Sequence, residues 1–441
     1  MNYKQAMEYI EETNRYGSVP GLDNIRNLCE KLGNPQNKLR FVHIAGTNGK
    51  GSTLAYISTV LKEAGYRVGR YISPTIFEYR ERIQVNERMI SKEALCRHLE
   101  TIQKAVAELL EEGKPHPTPF EIETAMAFLY FFEKKCDIVV LETGLGGTLD
   151  ATNLITTTMV SVIASVSMDH MAFLGDSLAE IAENKAGIIK PGVPVVTMEQ
   201  KAEVMQVLKR KAEQQGSFLL TASASEASKV RYGVEKQKFH YKEYKDLEIR
   251  LAGKCQIANA VLAIETLRVL GEKGFPIKEQ AVREGLKKTV WRGRFSVIAR
   301  KPLFIADGAH NADAAGKLAD SIRFYFTNKK IIYIMGILKD KEYEKIIAET
   351  AGLAEQIITV TTPANPRALP AYELAKAVKE YQPNVTAADS LQEAVEMSYL
   401  LADKDSVIIA FGSLSYLGEI IKIVENRHTI RRDSHGRQEE N

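Results

Sequence analysis

The sequence predicts an α/β protein with a mostly parallel sheet, a small antiparallel sheet, and then a second strand–helix series. Three observations carry that prediction. Short β-branched runs alternate with helical patterns through about the first 200 residues, as strands joined by crossover helices do. Near residue 230 the pattern changes to polar–apolar alternation, and from residue 303 strands and helices alternate again. At 441 residues the chain also exceeds one ordinary core. A boundary is expected at 295–300, giving units 1–297 and 298–426.

Taken in order, "RFVHIA" (40–45) reads as a strand, and the following segment as a helix with Leu54, Ile57 and Leu61 on one face. "YRVGRYI" (66–72) reads as a second strand, stopped by Ser73-Pro74. "DIVVLE" (137–142) and "MVSVIAS" (159–165) are continuous apolar runs, as strands covered on both faces should be. "VRYGVEKQKFHYKEYKDLEIRLAG" (230–253) alternates, which suggests an antiparallel pair or small sheet. A helix from about 256 to 270 follows, then the lone tryptophan in "VWRGRF". "LFIA" (303–306), "IIYIMGI" (331–337), "QIITV" (356–360) and "SVIIAFG" (406–412) read as strands of the second series. Residues 427–441 have almost no apolar content and are expected to be disordered.

Composition excludes several classes. Lys plus Arg is 59 and Asp plus Glu 56, leaving +3, so no bulk field favours nucleic acid or a membrane surface. No apolar stretch reaches the roughly 18 residues of a membrane span, and the polar N-terminus is unlike a secretory signal. The 4 cysteines form no C-x-x-C pair, so neither zinc nor a disulfide framework is indicated, and a reduced cytoplasm is expected.

The first candidate site is "AGTNGKGST" (45–53), between a strand and a helix. It fails the usual G-x-x-x-x-G-K-[ST] pattern, since Ile44 stands where the first glycine belongs and Gly51 follows the lysine. Its setting still makes an anion cradle from successive N–H groups and a helix N-terminus. Gly46, Gly49 and Gly51 permit close backbone approach, and Lys50 supplies a positive charge that can follow a phosphoryl group. Glu142 ends the strand "DIVVLE", where ligand sites of open α/β sheets gather and where a carboxylate can hold Mg²⁺. A solvated glutamate before a glycine turn would read the same way. Asp169-His170 follows another buried strand, so His170 points toward the edge of Lys50 and Glu142, although a lone histidine is as often structural. "TPFE" (118–121) is a capping box with Thr118 at N-cap, Pro119 at N1 and Glu121 at N3, leaving only Phe120 over. In "LFIADGAHN", Asp307 and His310 sit at a strand end, where Asp could meet a ribose hydroxyl, and Asn311 could be a helix N-cap.

"HIAGTNGKGST", "SPTIFEYRERI", "ETGLGGTLDATN", "ENKAGIIKPG" and "ADGAHN", in that order, resemble the folylpolyglutamate synthase / dihydrofolate synthase family, relatives of the Mur ligases, from about residue 20 to about 420. The resemblance implies an N-terminal phosphate-loop domain and a C-terminal Rossmann-like domain. It implies ATP and Mg²⁺ as cofactors, and L-glutamate joined to a folate or dihydropteroate carboxylate through an acyl phosphate. It implies that Asn48, Gly49, Lys50, Gly51 and Ser52 cradle phosphate, and that Ser73, Glu142 and His170 hold magnesium. Asn259, Arg294 and Asp307, with His310 added, would contact ATP. Thr118, Pro119, Phe120 and Glu121, with Leu149, Asp150 and Ala151, would contact the pterin substrate. Lys185 would carry a carbamate that holds a second Mg²⁺; read without the resemblance, it is an ordinary helix-surface lysine. Lys50, Glu142, His170 and Lys185 would then be the catalytic set. Thr75, Thr148, Cys255 and Arg292 depart from residues frequent in the family and bear on substrate preference.

The substrates expected are small molecules, with no nucleic acid or membrane partner, and the chain is expected to act as a monomer. Rival readings are a Mur-type ligase on a cell-wall precursor, against which "TPFE" and "LDATN" argue, and a paralogue that binds nucleotide without ligating. A GTP switch would need N-K-x-D, and "NKAG" (184–187) lacks the aspartate.

Overall fold

A computed structural model of the chain describes residues 1–17 and 19–436, with side chains through residue 427. Its first sheet comprises β1 (Phe41–Ala45), β2 (Val68–Tyr71), β3 (Ile83–Val85), β4 (Arg88–Met89), β5 (Ile138–Glu142), β6 (Thr158–Ile163), β7 (Val195–Met198) and β8 (Leu219–Ala222). The order is β4-β3-β2-β5-β1-β6-β7-β8. Pairing is parallel from β2 to β8, and β3 and β4 return as an antiparallel edge. The apolar runs are explained by cover on both faces. Along β5, Ile138 and Val140 enter one core while Val139 and Leu141 enter the other.

The helix after β1, Lys50–Glu63, is not one-faced as its spacing suggests. Every residue from Gly51 to Leu61 is buried. One side lies on the sheet, and the helices Cys255–Glu272 and Glu279–Lys288 cover the rest. A helix hydrophobic or small on all sides is a buried helix, and this one carries Ser52, Thr53, Ser58 and Thr59 into that burial.

The alternating region forms β9 (Ser228–Arg231), β10 (Gln237–Tyr241) and β11 (Tyr244–Ile249), an antiparallel sheet ordered β11-β10-β9. The helix expected over 256–270 spans Cys255–Glu272.

The last sheet contains β12 (Ser296–Arg300), β13 (Leu303–Ala306), β14 (Ile331–Met335), β15 (Gln356–Thr359), β16 (Val385–Ala387) and β17 (Val407–Phe411), ordered β12-β13-β17-β14-β15-β16. All pairs are parallel except β12 with β13. The sequence pattern did not suggest β12 or β16, because each is a short edge strand only partly covered, with no apolar run longer than Val297-Ile298-Ala299. The final helix runs Leu414–Gly436. The disorder expected from residue 427 falls on its last turns and on residues 437–441, which lie outside the described residues.

Candidate active site

The loop after β1 is sewn onto the segment after β6. Thr47 and Asn48 donate backbone N–H bonds to the Ser165 carbonyl (2.7 and 3.2 Å), and the Thr47 hydroxyl donates to the Ser167 carbonyl (2.9 Å). Gly49 turns the chain into the helix at φ +86°, and a Cβ there would lie 2.6 Å from Asn259 Oδ1. Both the backbone angle and the close approach require glycine. Asn259 in turn donates to Gln256 (3.2 Å), which donates to the Ser52 hydroxyl (3.2 Å). The Lys50 ammonium donates to the Thr47 carbonyl (3.3 Å) and stands 3.8 Å from Glu142 Oε1.

Glu142 is not the solvated strand-end residue that was the alternative; it is 5% exposed. Its other oxygen accepts only a long bond from the Ser73 N–H (3.4 Å). Burial pushes its carboxyl above the ordinary range, against the opposing pull of Lys50 and Arg294. Ser73 opens the loop beyond β2, next to a cis bond to Pro74. His170 caps the short helix Met171–Leu174 in the left-handed conformation (φ +53°), with Nε2 3.8 Å from Asp169 Oδ2. Desolvation in the cleft lowers its pKa; Asp169 opposes this, and Lys341, Lys185 and Lys50 add to it.

Lys185 corrects the surface reading. The helix Leu178–Ala186 turns it inward, 4% exposed, to donate to the Gly46 carbonyl (3.0 Å). Burial, then the nearby Lys50, pushes its pKa down to about 7. The "GLGGT" turn packs on this helix: Thr148 donates its N–H and its hydroxyl to the Asn184 carbonyl (2.9 and 3.0 Å). "NKAG" is therefore the end of a helix with its lysine turned inward, not a guanine-reading loop.

Across the cleft stand residues of the last sheet. Asp307 is half-buried, and its oxygens accept N–H bonds from Phe295 (2.7 Å) and Ala309 (2.8 Å). His310 Nδ1 is 2.7 Å from the Gly308 carbonyl, which makes Nδ1 the protonated nitrogen and leaves Nε2 as an acceptor. Burial pushes its pKa down to about 4. Asn311 caps the next helix by accepting from Ala314 N–H (2.9 Å), and also meets Asn48 (3.2 Å) and Asp169 (3.0 Å).

One cavity gathers Asn48, Gly49, Lys50, Gly51, Ser52, Ser73, Glu142, His170, Lys185, Asn259, Arg294, Asp307 and His310. A second cavity, of about 430 Å³, is lined by Thr118, Phe120, Glu121, Leu149, Asp150 and Ala151. Ser73, Pro74, His170 and His310 line both. Pro119 lines neither. It opens the helix Pro119–Glu133, whose capping box is present as expected: Glu121 accepts from Thr118 N–H (2.7 Å). Asp150 caps the turn Ala151–Leu154 and accepts from Leu145 N–H (2.8 Å).

Residues 44–267 match the Mur ligase middle domain, and residues 293–414 match the Mur ligase glutamate ligase domain. The chain is 36% identical over 427 residues to a dihydrofolate synthase/folylpolyglutamate synthase of Bacillus subtilis, covering 95% of this chain and 98% of that one. The chain belongs to this family. Among solved structures of the family, the Mycobacterium tuberculosis folylpolyglutamate synthase complexed with ADP and AMPPCP superposes with a TM-score of 0.89 at 28% identity, covering 96% of this chain and 99% of that one. An Escherichia coli protein in complex with DHPP and ADP superposes with a TM-score of 0.85 at 26% identity, covering 97% and 99%.

Against the family pattern, the departures lie mostly at the margins. Cys255 lines the first cavity. Arg292 lies over the Phe77 ring and pairs with Glu425, and Thr148 is bound to Asn184. Thr75 lines neither cavity.

Sequence reading missed Lys341, whose ammonium is 2.7 Å from Asp169 across the cleft, with both groups buried. That pairing, rather than solvent, holds the Asp169 carboxyl below the ordinary range despite its burial. Lys341 stands four residues beyond "IIYIMGI", after Lys339 and Asp340, so its place in the sequence does not single it out. Among the described residues, no helix is long and apolar enough to cross a membrane.

Proposed function

We propose that the protein is an ATP-dependent ligase that joins L-glutamate to the carboxylate of tetrahydrofolate polyglutamates and of dihydropteroate. The observation that carries this reading is the meeting of two cavities at Ser73 and His170, with Lys50 and Glu142 lining the first of them and Glu142 bonded to the Ser73 N–H. ATP would occupy the first cavity and the pterin substrate the second, its carboxylate directed at the junction. A carboxylate oxygen attacks the γ-phosphorus and ADP leaves; the glutamate amine then attacks the acyl carbon and phosphate leaves. In phosphoryl transfer the protein chiefly positions groups and balances charge.

Lys50 would follow the transferring phosphoryl group, while Asn48, Gly49, Gly51 and Ser52 hold the phosphates with backbone and side-chain donors. Asn259, Arg294, Asp307 and His310 would seat the nucleoside. Thr118, Phe120, Glu121, Leu149, Asp150 and Ala151 would receive the pterin, with Pro119 acting through the helix it starts. The cleft between the two large sheets excludes water from the acyl phosphate.

The residues fit magnesium. Glu142 is a buried carboxylate with one long hydrogen bond, in the same cavity as Ser73 and a His170 imidazole kept neutral. Burial and Lys50, which push the Lys185 pKa down to about 7, favour the neutral amine that a carbamate requires. Mg²⁺ at Ser73, Glu142 and His170, with a second ion at a Lys185 carbamate, would offset the charge of the phosphoryl group. Among the described residues no group of three or more His, Cys, Asp or Glu could hold a metal; the proposed set contains only Glu142 and His170 of those types.

The chain is read as two units meeting near 297, one bearing the phosphate loop and the other Rossmann-like, and as a monomer. A cytoplasmic setting accords with its four unpaired cysteines. The test is ADP release by purified protein with ATP, Mg²⁺ and L-glutamate, adding tetrahydrofolate or dihydropteroate in turn. Stimulation by either supports the ligase, and stimulation by one alone assigns a single activity. No stimulation by either sinks the reading.

A further inference from the structure

Gly51 differs from the other glycines of its loop. It lies within the helix Lys50–Glu63 and has no positive φ, so its backbone would accept any residue. Space is what excludes a side chain. A Cβ at 51 would lie 2.9 Å from Trp291 Nε1 and 3.1 Å from both Cε2 and Cζ2 of that ring. In a standard phosphate loop this position carries Ser or Thr, whose hydroxyl serves the metal. Here an indole from a segment some 240 residues away stands where that side chain would go.

The ring is partly buried: it lines cavities of about 360 and 560 Å³ and is backed by one charged group. The Arg70 guanidinium lies against it, with Cζ 5.6 Å from the ring centroid. Arg70 is itself buried on β2, donating to the Ser58 hydroxyl through Nε (2.9 Å) and Nη2 (2.6 Å). Trp291 also begins the segment that reaches the other side of the cleft. Gly293 accepts the Gly308 N–H (2.8 Å), Arg294 lines the nucleotide cavity, and Phe295 N–H donates to Asp307 (2.7 Å). One short segment therefore touches the phosphate loop at its start and the opposite wall of the nucleotide cavity at its end.

We infer that Trp291 is a positioning residue for the nucleotide: its ring, seated on Gly51 and backed by Arg70, sets the distance between the phosphate loop and the Arg294–Asp307 wall. This rests on the nucleotide reading of the first cavity. It also gives a reason for the irregular loop. With the hydroxyl position filled by indole, the metal's hydroxyl has to come from elsewhere, and Ser73 is at hand.

The test is a double-substitution cycle read by calorimetric binding of a non-hydrolysable ATP analogue with Mg²⁺, and by kcat and KM for ATP. Gly51→Ala alone should weaken analogue binding and raise KM for ATP about tenfold or more, because the new methyl group meets the ring. In a Trp291→Ala background, which opens that space, adding Gly51→Ala should cost less than about threefold. Equal losses in the two backgrounds overturn the inference. Should Trp291→Ala fail to fold, Trp291→Leu takes its place, removing the ring but keeping apolar bulk, with the same two outcomes. A ring with a merely structural role would lower melting temperature without coupling to residue 51 in analogue affinity. If the parent protein binds no ATP analogue, the nucleotide reading itself fails; if it binds and the cycle is additive, only the Trp291 inference fails.

Discussion

Glu142 and Asp307 occupy equivalent places in the two large sheets. Each is an acidic residue at the carboxyl end of a buried parallel strand, each is followed by glycine within two residues, and burial raises the pKa of each. Their partners differ. Asp307 accepts two good backbone N–H bonds, at 2.7 and 2.8 Å. Glu142 accepts one at 3.4 Å and otherwise faces Lys50 at 3.8 Å. An oxygen already bonded to N–H groups organises a loop; one left short of donors is available to a cation or a reacting group. Strand-end position finds both residues, and only the count of donors separates their roles.

The predictions probe that separation. The largest effect should come from Lys50→Ala. Removing the charge that faces Glu142 should lower turnover about a thousandfold, as loss of a preorganised charge-stabilising group does, with an unchanged circular dichroism spectrum. Near-normal ADP release would exclude the cradle role.

Lys185→Ala should cost about 10- to 100-fold in turnover, the range typical of groups that support a metal. Added acetate or propionate should restore part of it if an oxygen donor is what was lost. Undiminished turnover would rule out the carbamate.

Glu142→Gln and Asp307→Asn should diverge in opposite senses. Neutralising Glu142 should abolish most turnover while leaving stability to urea equal or higher, since an ill-compensated buried charge is removed. Asp307→Asn keeps one acceptor oxygen and strands one N–H, costing about 1–3 kcal/mol in urea unfolding, with a smaller loss of turnover at saturating ATP. If both variants lose stability alike, the contrast between the two carboxylates is wrong.

The smallest effect concerns His43 on β1, fully buried, with Nε2 2.9 Å from the Thr152 hydroxyl. Burial pushes its pKa down to about 3. The unfolded chain, with an ordinary value of about 6.5, therefore binds the proton that the folded state refuses. Stability should fall as pH drops from about 6.5 toward 3, by up to about 1.4 kcal/mol per pH unit. In His43→Asn, urea unfolding at pH 7, 6 and 5 should show a shallower fall; an identical slope would mean the ring does not sit neutral in the core.

The legible part of the molecule was the part written in local periodicity. Strands β1, β5, β6, β13, β14, β15 and β17 are apolar runs bounded by turn residues, and each fell within a residue or two of its expected place. β12 and β16 are short and half-covered, with at most three apolar residues in a row. The same locality explains the site. The loop at 46–51, Glu142, His170 and Asp307 were found because each follows a strand. Lys185 and Trp291 lie in ordinary-looking helical and turn sequence, and nothing in their neighbours states what they face.

By itself the sequence determined the fold class, the glycine-rich turn between β1 and its helix, and the capping box at Thr118, because each depends on residues within a few positions of one another. Family resemblance added the expected roles. Only the tertiary structure decided that Lys185 is buried against Gly46 and its ammonium destabilised, that Asp169 is paired with Lys341 across the cleft, and that Gly51 is kept small by an indole from a distant segment. Burial and pairing are sums over neighbours remote in the chain, and no window of sequence contains them.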